Sequence, residues 1–104
     1  MEQIEFSVPA GCDLGKAGAL IERICARHGL EAAMKGTLRS FPGSIHWHYK
    51  KPRQKGTLEL TFLRTERRIW ASIHTNRKAP WIEETLARVR AAIEQALSEA
   101  GDGC

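Results

Sequence analysis

Residues 44–75 read SIHWHYKKPRQKGTLELTFLRTERRIWASIHT, and this stretch decides the fold. It parses into strands at 44–50, 57–63 and 68–75. The connections between them are Lys51-Pro52-Arg53-Gln54-Lys55-Gly56 and Arg64-Thr65-Glu66-Arg67. Connections this short make neighbouring strands antiparallel. Pairing each strand inward from its turn gives the rows Ile45–Phe62–Ile69, Trp47–Leu60–Ala71 and Tyr49–Leu58–Ile73 on one face. The other face reads His46–Thr61–Trp70, His48–Glu59–Ser72 and Lys50–Thr57–His74. The first face is apolar throughout; the second is polar except for Trp70. A slip of one residue would mix the two, so the register is strongly specified. Carrying the same pairing upstream through a turn at Phe41-Pro42-Gly43 adds a strand at 32–40. This places Leu38, Gly36 and Met34 in the apolar rows, and Thr37 and Lys35 on the polar face.

Working outward, Ile4, Phe6 and Val8 alternate with Glu5 and Ser7, a half-buried strand ended by Pro9 and Gly11. Asp13 is a good N-cap, and Leu14, Ala17, Ile21, Ile24, Cys25 and His28 follow at helical spacing. Gly29 stops this first helix, read as 13–28. His28, in its last turn, is read as structural. Pro80 opens a second helix, read as 80–99, with Ile82, Leu86, Val89, Ile93 and Leu97 in one stripe. Trp81 is expected to pack over the end of the sheet. The expected fold is therefore two-layer α+β, in the order β-α-β-β-β-β-α. Its mostly antiparallel sheet has strand order 2-3-4-5-1 and carries both helices on one face. A right-handed crossover placing strand one beside strand two is the alternative. The element order resembles helix-grip and TATA-binding-protein-like folds, a likeness of topology that carries no function with it.

The 104 residues make one domain, with an ordered core of about 2–99 and a frayed tail at 100–104. Apolar content of 42% and charged content of 27% suit a globular chain. No apolar run is long enough to span a membrane, and the acidic, alternating N-terminus is unlike a signal peptide, so a cytoplasmic location is expected. Cys12, Cys25 and Cys104 suggest neither a disulfide framework nor a zinc cluster. Cys25 falls on a helix's apolar face, and Cys12, just ahead of a helix start, is the candidate for reactivity.

Charge is segregated along the chain. Residues 35–78 hold eleven Lys/Arg against two acids, Glu59 and Glu66, while the flanks are net acidic. The sheet is thus basic and the helices acidic, a statement about partners rather than about a reaction. Lys50, Lys51, Arg53 and Lys55 cluster in one loop, and Arg77 and Lys78 leave the sheet at the same end. With Trp70 as a stacking platform and His46 and His48 beside it, an open polar face of this kind suits single-stranded nucleic acid or another polyanion. The expectation is a non-catalytic binding module with no cofactor. A domain for an acidic protein partner is one alternative. A metal-dependent enzyme is the other: His46 and His48 share a strand face with Glu59 directly across from His48, so the three are candidate metal ligands. His74 is placed beyond their reach, and no stoichiometric zinc is expected.

Overall fold

Strand pairing in the computed structural model, which describes residues 1–99, follows the register of the central meander residue by residue. Strand β3 (Ile45–Lys50) pairs with β4 (Leu58–Leu63) through Ile45–Phe62, Trp47–Leu60 and Tyr49–Leu58. Strand β5 (Arg68–Ile73) pairs with β4 through Phe62–Ile69, Leu60–Ala71 and Glu59–Ser72. The outer strands are β1 (Glu2–Glu5), antiparallel to β5, and β2 (Glu31–Gly36), antiparallel to β3. The sheet is antiparallel with order β1-β5-β4-β3-β2, so the crossover alternative is not adopted.

Both helices lie on the apolar face. Helix α1 (Ala17–Arg27) buries Ala17, Ile21, Ile24 and Cys25, and α2 (Pro80–Glu99) buries Trp81, Ile82, Leu86, Val89, Ile93 and Leu97. These join Trp47, Tyr49, Leu58, Leu60, Ile69 and Ile73 in one hydrophobic cluster. The first helical segment starts as a 3-10 turn at Leu14–Lys16, and Asp13 caps that turn by accepting from the Gly15 amide at 2.9 Å. Gly29, at φ +78°, supplies the left-handed residue that ends α1, and the amide of Leu30 returns to the Cys25 carbonyl at 3.1 Å. His28 is tied to its own helix, Nδ1 lying 2.9 Å from the Ile24 carbonyl oxygen. The expected tail at 100–104 lies outside the described residues. Cys12 is buried, and Cys25 is a free buried thiol whose pKa burial raises to about 12. No helix among the described residues is long and apolar enough to cross a membrane.

Strand β2 departs from the expected register. Lys35 pairs with Trp47, Met34 with His48 and Gly36 with His46, with an irregularity between Ala32 and Met34. Met34, Gly36 and Leu38 therefore do not extend the apolar rows, and Lys35 does not sit on the polar face. The physical reason is the connection. Residues 37–44 form no tight hairpin but two successive turns, closed by Phe41 N to Leu38 O at 3.0 Å and Ser44 N to Phe41 O at 3.1 Å. The Ser44 hydroxyl accepts from the Leu38 amide at 3.1 Å. This loop folds over the polar face far enough for Phe41 to meet Trp70 edge-to-face, ring centroids 5.0 Å apart.

The other end of the polar face is shaped by Gly56, at φ +103°. A Cβ there would lie 2.8 Å from the Ala79 Cβ and 3.0 Å from the Arg77 carbonyl oxygen. Only a glycine permits this approach without displacement. The Thr57 amide bonds that same Arg77 carbonyl at 3.0 Å, and the Trp81 indole N–H bonds the Lys55 carbonyl. The basic loop 51–56 is thereby pinned to the segment between β5 and α2.

Candidate functional site

The polar face is a trough, not an open plane. Thr61, Glu59, Ser72, Thr57 and His46 are all buried. Trp70 is only 3% exposed, in contact with Phe41 and with the Arg68 guanidinium, which lies 4.2 Å from the ring centroid. The expectation of Trp70 as an exposed stacking platform is therefore corrected: its ring is buried within the protein.

Glu59 is the centre of what remains. Antiparallel pairing sets His48 opposite Glu59 and His46 opposite Thr61, with both imidazoles on one side because they are two residues apart on β3. His46 Nε2 lies 3.1 Å and His48 Nε2 3.6 Å from Glu59 Oε1. The second oxygen, Oε2, meets His74 Nε2 at 3.1 Å and Arg77 Nη1 at 3.5 Å. His74, placed out of reach by the sequence reading, thus belongs to the cluster. It leads into a 3-10 turn at Thr75–Arg77, and the Arg77 amide bonds the His74 carbonyl at 2.9 Å. In a turn of this pitch, residues three apart are eclipsed. The spacing His74-x-x-Arg77 was the available signal for both side chains converging on Glu59.

The contacts of the ring nitrogens limit the tautomers. His46 Nδ1 lies 2.8 Å from the Thr61 hydroxyl oxygen, which can either donate or accept. Arg77 Nη1 lies 3.5 Å from His48 Nδ1, and guanidinium only donates, so Nδ1 of His48 is the acceptor and its Nε2–H points to Glu59. Burial lowers the His46 pKa below the ordinary imidazole value. Glu59 opposes that shift, and His48 and His74 reinforce it. One neutral His46 tautomer satisfies both contacts, Nε2–H toward Glu59 and Nδ1 accepting from the Thr61 hydroxyl.

Above this floor lies a cleft of about 380 Å³ lined by Met34, Leu38, His46, His48, Glu59, His74, Asn76 and Arg77. A second cleft, of about 430 Å³, shares Met34, His48, Asn76 and Arg77 with it and runs on to Lys50, Gly56 and Thr57. The one-residue displacement of β2 is what brings Met34 and Leu38 to its rim.

Of the basic residues singled out in the sequence, Lys50 borders the trough and Arg77 leans into it. The side chains of Lys51, Arg53 and Lys55 have no ion pair among the described residues. Lys78 is instead paired with Glu83 of α2 at 2.9 Å. The structure thus gathers His46, His48, Glu59, Arg77 and Lys50, and it leaves Lys78 and Trp70 outside. No family model, curated protein or solved structure matches the chain, so any reading of the site rests on these residues alone.

Proposed function

We propose that the chain is a non-catalytic binding module for a phosphate-bearing polyanion, single-stranded nucleic acid being the class that fits best. The observation that carries this reading is the continuity of the trough with the pinned basic loop. The ligand backbone runs from Arg77 past Lys50 to Lys51, Arg53 and Lys55, the last three of which make no ion pair among the described residues. Cations free of internal partners gain most from an external anion, because no existing pair is broken. Apolar contact comes from Met34, 41% exposed at the trough's rim, rather than from Trp70. A ligand of this kind suits a cytoplasmic location.

The test is a salt titration with a mixed-sequence oligonucleotide. Counterion release on single strands contributes a log–log slope of roughly −0.7 per phosphate neutralised, so four to six contacts give about −3 to −4. Charge reversal at Lys51, Arg53 and Lys55 together is expected to flatten that slope. Binding no tighter than millimolar to both DNA and RNA at low salt would remove the nucleic-acid reading and leave an acidic protein as the partner.

A further inference from the structure

We propose that His46, His48 and Glu59 form a binding site for a divalent transition-metal ion, with zinc the best match to the donor set. One ligand atom from each residue lies within 4.8 Å of the other two; a tetrahedral ion with bonds of about 2.1 Å holds its ligands about 3.4 Å apart, so the side chains close in by roughly 1 Å around it. Two imidazoles and one carboxylate are a zinc-type set, and three protein ligands leave a fourth position vacant. That position faces the cleft lined by Met34, Leu38 and Asn76, where water or an anionic oxygen has room to enter.

The surroundings supply the outer contacts such a site needs. Thr61 holds His46 Nδ1 at 2.8 Å, and its hydroxyl can accept the Nδ1 proton when Nε2 turns to the metal. His74 binds the other Glu59 oxygen at 3.1 Å and steadies the carboxylate. The backbone that presents the ligands is paired sheet, β3 against β4, so no loop ordering is required. One contact must yield: metal at His48 Nε2 requires a proton on Nδ1, which the facing Arg77 opposes at 3.5 Å. The Arg77 side chain is 46% exposed and has room to withdraw. His74 is assigned outside the ligand set because its nearest partner is the oxygen turned away from His46 and His48.

The experiment uses the full chain, stripped with a chelator and titrated with Zn²⁺ by calorimetry and with Co²⁺ by visible absorption. One ion per chain is expected, with the intense absorption of four-coordinate Co²⁺. His46→Ala and His48→Ala are each expected to weaken binding more than about 100-fold, and Thr61→Val about 10–100-fold. His74→Ala should keep one ion per chain. His46 is buried and its variant requires a far-UV check of folding; His48, half-buried, provides the second variant. Zinc-induced shifts of the His46 and His48 ring signals in the unsubstituted protein need no variant at all. Absence of saturable 1:1 binding, or binding unchanged in both histidine variants, would overturn the site. Loss of the ion in His74→Ala would overturn the ligand assignment. Charge reversal at Lys51, Arg53 and Lys55 should leave metal affinity intact, which separates this site from the polyanion reading.

Discussion

Lys35 reaches the Glu22 carboxylate of α1 at 2.7 Å, on the helix side of the sheet. The same Glu22 oxygen accepts from the Trp47 indole at 2.9 Å. A strand residue, a helix residue and a core tryptophan are thus held in one contact, and it requires Lys35 opposite Trp47. The Lys35 bond, then the Trp47 bond, hold Glu22 below its ordinary value of 4.5. A carboxyl depressed in the folded state adds stability above its unfolded pKa and loses it as pH falls through the folded one. Glu22→Gln is therefore expected to destabilise at pH 7 and to approach the parent near pH 3. The side chains are partly exposed, so the ion pair itself contributes at most about 1 kcal/mol. Urea midpoints at the two pH values measure this, and an equal gap at both would refute it.

Core and rim leucines should respond differently. Leu60 is fully buried in the apolar rows, and Leu60→Ala should cost about 2–5 kcal/mol through lost transfer energy and a residual cavity. Leu38 borders the trough, half-buried, and Leu38→Ala should cost no more than about 1 kcal/mol, since removing it widens an existing cleft. Equilibrium denaturation of the two variants distinguishes the observed β2 register from one that buries Leu38 against the helices.

The contrast between those leucines shows what was legible in the sequence. The β3–β4–β5 rows were readable because two faces of opposite polarity allow one register and the connections are short. Strand β2 was not, because 37–44 looked like one turn at Phe41-Pro42-Gly43 and is two. Residues Ala32, Ala33 and Gly36 impose little polarity on either face, so nothing in the pattern penalised the slip. The error propagated to the site: a tight hairpin leaves the polar face open, whereas the real loop covers Trp70. Convergence of His48 and Glu59 followed from pairing alone. The arrival of His74 and Arg77 depended on a 3-10 turn that lies beyond the strand, where period-two reasoning ends.

Trp70 should behave as a structural residue. Buried beneath Phe41 and Arg68, its removal empties a large volume, and Trp70→Ala is expected to cost about 3–5 kcal/mol of folding stability. A platform for bases would instead lose affinity with folding unchanged. Urea denaturation of the variant decides, and stability equal to the parent would restore the exposed-platform reading.

Thr61→Val tests the hydrogen bond beneath His46. Thr61 is 1% exposed, and valine keeps its shape while deleting the hydroxyl 2.8 Å from His46 Nδ1. The ring nitrogen is then buried without a partner, because His46 is itself only 5% exposed and water has little access. Leaving such a group unsatisfied costs about 1–3 kcal/mol, more than the bond's net contribution when both partners are absent. Thr61→Ser keeps the hydroxyl and loses one methyl, so it should cost only about 1 kcal/mol. Measurements in chelator remove any contribution from bound metal. The two variants also differ in the His46 ring: its nitrogen resonances should stay near those of the parent in Thr61→Ser and move in Thr61→Val. If valine proves no more costly than serine and the ring signals stay fixed, Thr61 does not orient His46, and the tautomer must be set by Glu59 alone.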